Sequence, residues 1–132
     1  MKLFNTITIL SLGLVVNANP LYLNVGSIFG SLRRNNNFND VVLGKCKPFT
    51  LIFARGTAEL TGNIGWMVGP YFAQALKKAL PGGEDALAIQ GITYSAGIPG
   101  YFDDGDPKGA KKMIELVEKA CPETAIILSG YR

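Results

Sequence analysis

Three short, continuous apolar runs constrain most strongly what this chain can fold into. They are FTLIFA at 49–54, DALAIQGITY at 85–94 and TAIILSG at 124–130. Apolar runs of this length, bounded by turn-rich sequence, are typical of strands that are buried on both faces of a parallel sheet. The chain therefore predicts three such strands.

The segments between these runs have helical periodicity. The first helix is predicted from about Val68 to Leu80, with Pro70 in its first turn and PGG ending it. The second is predicted to follow Asp106, which can cap it, with Pro107 at the first helical position. Its apolar face is formed by residues at helical spacing, namely Ala110, Met113, Ile114 and Val117.

The order strand, helix, strand, helix, strand predicts an α/β fold. Helices that connect apolar strands favour right-handed crossovers, which give a parallel sheet covered by helices on both faces, a three-layer αβα arrangement. Function in such sheets lies beyond the carboxyl ends of the strands. The segments there are residues 55–65, residues 94–105 and the pair Gly130 and Tyr131.

The N-terminal region indicates export. Residues 1–18 combine one lysine with an apolar stretch and a small residue at Ala18, which predicts a signal peptide; a membrane anchor is the alternative. We expect a secreted, extracellular protein without a stable membrane anchor. Residues 19–45 show no sustained period and are interpreted as a pro-segment or linker, in which Arg33-Arg34 is either a processing site or an ordinary loop pair.

The two cysteines are interpreted in the light of that export. Cys46 and Cys121 are an even pair, and in an oxidising compartment a disulfide between them is the first expectation. Two free buried thiols are the alternative.

Several classes of function are disfavoured by what the sequence lacks. It contains no histidine, which excludes a Ser-His-Asp or Cys-His set within these 132 residues and removes the commonest zinc ligand. The net charge of +3 is small and scattered, so no nucleic acid partner is expected. The glycine-rich loops do not fit nucleotide-binding patterns, and the acidic run at 103–106 lacks the spacing of a calcium loop. We therefore expect neither a metal nor a cofactor.

Several motifs that follow one another along the chain resemble those of a known protein family. The third run leads into Gly130 and Tyr131, the first two positions of the nucleophile elbow G-x-S-x-G, but Arg132 stands where the serine belongs. The stretch from Cys46 to Arg132 resembles the N-terminal half of the fungal cutinase family over about 87 residues. The further motifs that carry this resemblance are FARGTAE, GNIGWMVGP and GDPKGAKKMIELVEKACPET. Members of this family are small secreted serine esterases with an α/β-hydrolase fold.

The resemblance implies roles for particular residues. It implies the disulfide Cys46–Cys121, and it makes Thr57 an oxyanion-hole residue through its hydroxyl and backbone N–H. The alternative is that Thr57 is an ordinary turn threonine. Glu59 and Asn63 are interpreted as loop-bracing groups, and Arg55 as a partner for loop carbonyls or an acid. The family acts on ester polymers such as cutin, and we expect a monomer.

The sequence departs from the family pattern at its catalytic residues. The family's nucleophile, second oxyanion donor, histidine and aspartate all lie beyond position 131, so no catalytic residue is assigned here. We expect residues 46–132 to be a partial domain lacking its C-terminal half, inactive in this form, with the third strand uncovered. The alternatives are an acetylxylan esterase of the same fold and a non-catalytic secreted protein that binds a surface or acts as a decoy.

Overall fold

The computed structural model describes residues 36–103 and 105–132. The predicted signal peptide and Arg33-Arg34 lie outside the described residues. The elements in chain order are β1 (Phe49–Ala54), α1 (Gly69–Ala79), a 3-10 turn (Gly83–Ala86), β2 (Leu87–Gly91), α2 (Ile98–Phe102), α3 (Pro107–Lys119) and β3 (Ala125–Gly130). All three predicted strands and both predicted helices are present, and the short helix α2 was not predicted.

The three described strands form a parallel sheet in the order β2-β1-β3. In the register, Leu51 of β1 lies opposite Ile89 of β2 on one side and Ile127 of β3 on the other. The first strand in the chain is therefore the central strand of the three. The predicted parallel pairing is confirmed.

Helices cover both faces of this sheet. On one face Leu51 and Phe53 pack with Ile64 and Ala73, the latter from α1. On the other face Ile52 packs with Leu116 of α3. Neighbouring side chains of β1 thus enter opposite apolar layers, and Leu51, Ile52 and Phe53 are at most 1% exposed. The predicted three-layer α/β arrangement is confirmed.

The third strand is less buried than its sequence predicts. Among the described strands β3 pairs with β1 alone. Ile127 packs against the core on the α1 side, whereas Ile126 is 37% and Leu128 53% exposed. The burial on both faces that the apolar run by itself indicates is therefore not found in the described structure, whereas the expectation of an uncovered third strand is confirmed, because apolar side chains are buried only where a neighbouring element covers them.

Residues 36–45 pack against the outer edge of β2. Asn39 forms an antiparallel bridge with Gln90, Asp40 N–H donates to the carbonyl of Ile89 at 3.1 Å, and Val41 is buried. The sequence interpretation placed these residues in a pro-segment or linker. In the structure they belong to the packed domain, because their backbone satisfies polar groups along the strand edge.

The predicted disulfide is present. Cys46 lies just before β1 and Cys121 just after α3, with their Cα atoms 5.6 Å apart and their sulfurs bonded. The bond therefore fixes the end of the covering helix α3 beside the start of the central strand. Within the part of the chain that the structure describes, no helix is long and apolar enough to span a bilayer.

Candidate functional site

A cleft of about 160 Å³ lies where the carboxyl ends of β1 and β3 meet. Tyr131 N–H donates to the carbonyl of Ala54 at 3.0 Å, so the pairing of the two strands continues to their last residues. Thr57, three residues beyond Ala54, lines the same cleft as Tyr131 and Arg132. The cleft is completed by residues from the β2–α3 connection, namely Tyr94, Ala96, Gly97, Gly100, Tyr101, Gly105 and Asp106. The structure thus brings together the segments predicted to lie beyond the strand ends.

The backbone beside Thr57 is held in an unusual conformation. Ala58 has a φ of +64° and Ala96 a φ of +47°, values that are uncommon for residues with a Cβ. Ala58 N–H donates to the carbonyl of Ala96 at 2.9 Å, which joins the loop after β1 to the loop after β2. Such outliers persist where surrounding contacts fix them, and they concentrate at functional sites.

The carboxylate of Glu59 braces the loop after β1. One oxygen accepts from Gly56 N–H at 2.6 Å, and the other accepts from Trp66 N–H at 2.8 Å and Met67 N–H at 2.6 Å. Glu59 is only 2% exposed. A Cβ added at Gly65, whose φ is +72°, would lie 2.3 Å from this carboxylate, so the close approach requires glycine. The predicted bracing role of Glu59 is confirmed.

Arg55 satisfies loop carbonyls, which is one of its two predicted roles. Its Nε donates to the carbonyl of Glu59 at 2.9 Å, and its terminal nitrogens donate to those of Ile92 and Tyr94. The guanidinium lies 5.2 Å from the centre of the Tyr94 ring, whose hydroxyl donates back to the carbonyl of Arg55. Burial raises the pKa of Tyr94.

Asn63 is the second predicted bracing residue, and its hydrogen bonds confirm that role. Its side-chain carbonyl accepts from Phe38 N–H at 2.8 Å, and its amide donates to the carbonyl of Phe38 at 2.8 Å and to that of Gly91. The loop after β1 is thereby tied to the segment along the edge of β2 and to the end of β2.

A serine contacts a carboxylate that lines the cleft, that of Asp106. Ser95 Oγ donates to Asp106 Oδ2 at 2.6 Å, and the other oxygen of Asp106 accepts from Lys108 N–H and Gly109 N–H at the start of α3. The predicted cap is therefore present, but the Ser95 contact was not predicted. The hydrogen bond from Ser95 lowers the pKa of Asp106.

Arg132 occupies the position that follows Tyr131 at the end of β3. Its guanidinium donates to the carbonyl of Tyr101 at 3.0 Å and lies 5.0 Å from the centre of that ring. The ring of Tyr131 lies against Gly56, where an added Cβ would be 2.4 Å from ring carbon Cδ1. The described part of this cleft therefore offers hydrogen-bond donors and aromatic surface, while a cationic side chain stands at the predicted nucleophile position.

Across the described residues, no three His, Cys, Asp or Glu side chains come together in a way that could hold a metal ion.

The chain is similar to proteins of one family. The Cutinase family model matches residues 45–132. A cutinase of Botryotinia fuckeliana is 44% identical over 89 residues, which cover 65% of this chain and 43% of that protein. Cutinase 3 of Emericella nidulans is 39% identical over 135 residues, which cover 97% of this chain and 59% of that protein.

A solved structure shows the same likeness in three dimensions. The Trichoderma reesei cutinase in complex with a phosphonate inhibitor superposes with a TM-score of 0.57 at 30% sequence identity, over 81% of this chain and 45% of that one. The chain spans about half the length of the relatives it matches. The predicted α/β-hydrolase fold of the cutinase type is thereby confirmed. By its sequence and by its fold, this chain belongs to the cutinase family.

Proposed function

We propose that this chain forms the oxyanion side of a carboxylic ester hydrolase site of the cutinase type, in a secreted protein that acts on cutin or similar ester polymers. The observation that carries the proposal is the position of Thr57. It lies in one cleft with Tyr131 and Arg132, at the carboxyl ends of parallel strands. In the family pattern the nucleophile follows Tyr131 directly, and that position and Thr57 line the same cleft.

The proposed role of Thr57 follows from the chemistry of ester hydrolysis. Attack on the ester carbonyl creates a tetrahedral intermediate with a negative oxygen, and donors fixed in advance stabilise that charge. Thr57 offers a hydroxyl and a backbone N–H. The carboxylate of Glu59 accepts from the N–H of Gly56, the residue before Thr57, and Arg55 donates to the carbonyl of Glu59, two residues after Thr57. The loop would therefore not have to reorganise during the reaction.

The 132 residues are expected not to hydrolyse esters by themselves. Nucleophilic catalysis needs a hydroxyl or thiol with a base within hydrogen-bond reach. Arg132 stands at the nucleophile position, and the sequence contains no histidine. The disulfide Cys46–Cys121 supports the proposed secretion, since such bonds persist in oxidising compartments.

A chimera tests the role of Thr57. Residues 1–131 of this chain are joined to the Botryotinia fuckeliana cutinase from its nucleophile serine onward, and turnover of p-nitrophenyl butyrate is measured. Thr57→Val, which removes the hydroxyl and keeps the branched shape, is expected to lower kcat by about 10²- to 10³-fold. Thr57→Ser should restore most of it. Thr61→Val, at an exposed threonine in the same loop, is the matched control.

Two results would contradict the proposal. The oxyanion role fails if Thr57→Val changes kcat in an active chimera no more than Thr61→Val does. The expectation of inactivity fails if the purified 132-residue chain turns over the same ester above the rate of its own Thr57→Val variant.

A further inference from the structure

A second depression lies away from the cleft, at the outer edge of β2. Two cavities of about 190 Å³ and about 310 Å³ have Phe38, Lys77, Glu84 and Ile89 in common in their linings. These residues belong to the segment beside β2, to α1, to the 3-10 turn and to β2 itself. Since the linings overlap, the two cavities form one trough, which we call the edge groove. Among the described residues, none lines both the edge groove and the cleft.

The smaller cavity is lined by polar residues whose side chains the described fold does not use. These residues are Asn36, Gln74, Lys77 and Glu84. Within the part of the chain that the structure describes, none of the four side chains forms a hydrogen bond or an ion pair. The set consists of two amides, one ammonium group and one carboxylate, so it can both donate and accept hydrogen bonds.

The amide of Asn36 is the least expected of these groups. The residue is 4% exposed, and its main-chain carbonyl accepts from the N–H groups of Asn63 and Ile64 at 3.1 and 3.4 Å, which fixes its position. Every fully buried side-chain nitrogen and oxygen among the described residues has a partner, so the unpaired amide of Asn36 must reach the cavity that this residue lines. A nearly buried polar group without a partner costs free energy, and a ligand that hydrogen-bonds to it would remove that cost.

Apolar residues supply most of the remaining lining of the smaller cavity. Ile89 is 2% and Ala73 is 3% exposed, and Phe38 is partly buried against the same core cluster. Among the described residues that line this cavity, only Lys77 and Glu84 are charged, so the formal charge of the lining is zero. The smaller cavity therefore combines apolar surface with unused polar groups and carries no net charge.

The larger cavity extends the edge groove toward the amino ends of the strands, because Lys45 and Lys47 precede β1 and Glu84 precedes β2. Lys45 is paired with Asp40 at 2.9 Å, and Lys47 Nζ donates to the main-chain carbonyl of Glu84 at 3.3 Å. With Lys77, the lining holds three ammonium groups and two carboxylates, a formal charge of +1. The edge groove as a whole therefore lacks the strong excess charge that would attract a polyanion or a polycation.

The groups of the edge groove match the chemistry of a neutral sugar. A pyranose ring carries hydroxyl groups that donate and accept hydrogen bonds around its edge, and C–H groups on its two faces. The amides of Asn36 and Gln74 can donate and accept, Lys77 donates and Glu84 accepts, while Phe38 offers apolar surface to a ring face. Apolar lining with a few polar groups is the usual composition of a site for a small ligand.

We propose that the edge groove binds a neutral polysaccharide, with one sugar unit in the smaller cavity and its neighbour in the larger cavity. Binding there holds the protein on a glycan surface and leaves the cleft open, because no described residue lines both sites. The inference goes beyond the proposed function and does not depend on it, since Thr57 takes no part in this contact.

An NMR titration of the isotope-labelled 132-residue chain with cellohexaose and with xylohexaose measures both affinity and location. Saturable binding of at least one of these neutral hexamers is expected, and their relative affinities identify the preferred sugar. Gln74→Ala and Lys77→Met should each weaken binding about three- to tenfold, because each removes one hydrogen bond to the sugar. Both substitutions introduce good helix formers on α1. Lys78→Met is the matched control, since Lys78 is exposed on the same helix outside the groove lining.

Asn36→Ala tests the nearly buried amide separately. The substitution should weaken sugar binding by a similar factor and leave the urea midpoint of unfolding close to that of Lys78→Met, because the amide has no partner among the described residues. A variant that binds the sugar like the parent protein would overturn the assignment of this amide to a ligand. So would a variant that unfolds much more readily than the control, since the amide would then serve the fold.

The same spectra show where the sugar lies. The backbone N–H signals of Gln74 and Glu84 should shift on binding, and those of Thr57 and Tyr131 should not. The reverse pattern would place the sugar in the cleft and refute the edge groove as its site. Failure of both hexamers to bind would refute the proposal outright, as would equal effects of Lys77→Met and Lys78→Met.

The charge of the ligand is tested with hexagalacturonate, an acidic sugar hexamer. Binding of a neutral sugar should hardly change between low and high salt, because no net charge is screened. Tighter binding of hexagalacturonate than of both neutral hexamers, with a strong loss of affinity at high salt, would make the edge groove an anion site and overturn the assignment to a neutral polysaccharide. Weaker or equal binding of the acidic hexamer supports that assignment.

Discussion

Replacing Glu59 by glutamine should destabilise the protein strongly, although the two side chains have nearly the same shape. The carboxylate accepts three backbone N–H groups at 2.6–2.8 Å in a site that is 2% exposed. A glutamine can present its oxygen to only one side of that site. Its amide nitrogen must then face at least one of the N–H groups, donor against donor.

The size of the effect can be worked out from these contacts. With the oxygen of the substituted side chain turned to Trp66 and Met67, the N–H of Gly56 loses its acceptor. A hydrogen bond to a charged group contributes about 1.5–3 kcal/mol, and an unsatisfied buried donor costs about 1–3 kcal/mol. The two contributions together give an expected loss in the free energy of unfolding of about 2.5–6 kcal/mol. In the opposite orientation the N–H groups of Trp66 and Met67 both lose their acceptor, so the loss in the free energy of unfolding is larger.

Urea denaturation followed by the emission of Trp66 measures this loss. Glu84→Gln is the matched control, because Glu84 is exposed, and it should change the free energy of unfolding by less than about 0.5 kcal/mol. If Glu59→Gln unfolds within about 1 kcal/mol of that control, the carboxylate does not hold the loop as described. The loop that carries Thr57 would then not be fixed by Glu59.

Two further perturbations address the disulfide and the cap of α3. Replacing Cys46 and Cys121 together by serine should lower the free energy of unfolding by about 4.5 kcal/mol, because the disulfide closes a loop over a sequence separation of 75. A reductant should destabilise the parent protein but not the variant. A loss below about 1 kcal/mol in the variant would contradict the stabilising role of the disulfide. Because the pKa of Asp106 is lowered in the folded state, the unfolded state binds a proton at this carboxylate more readily. The stability that the ionised Asp106 contributes is therefore present at neutral pH and is lost as the pH falls through the folded-state pKa. Asp106→Asn, which can still cap the helix, should make unfolding less dependent on pH in that acidic range, and Ser95→Ala should raise the pKa of Asp106 in an NMR titration. An unchanged pKa in Ser95→Ala would refute the assigned cause.

Much of the local structure was predictable because its causes are local. The run FTLIFA became β1 with the predicted bounds, and Asp106 and Pro107 began α3 where capping chemistry places them. The cysteine pair was expected from composition and export, and the family from motifs in the right order. These features depend on neighbours within a few residues, or on a pattern that the sequence carries explicitly.

Other features were decided by contacts between distant parts of the chain. The runs that form β1 and β3 are similarly apolar, yet the tertiary structure places β1 in the centre and leaves Leu128 of β3 exposed. The irregular residues 36–45 gave no periodic signal, but they pack on β2 because its edge supplies partners for their backbone. Sequence periodicity determines which side chains can be buried. Burial itself depends on which elements lie beside them, and only the tertiary structure decides that.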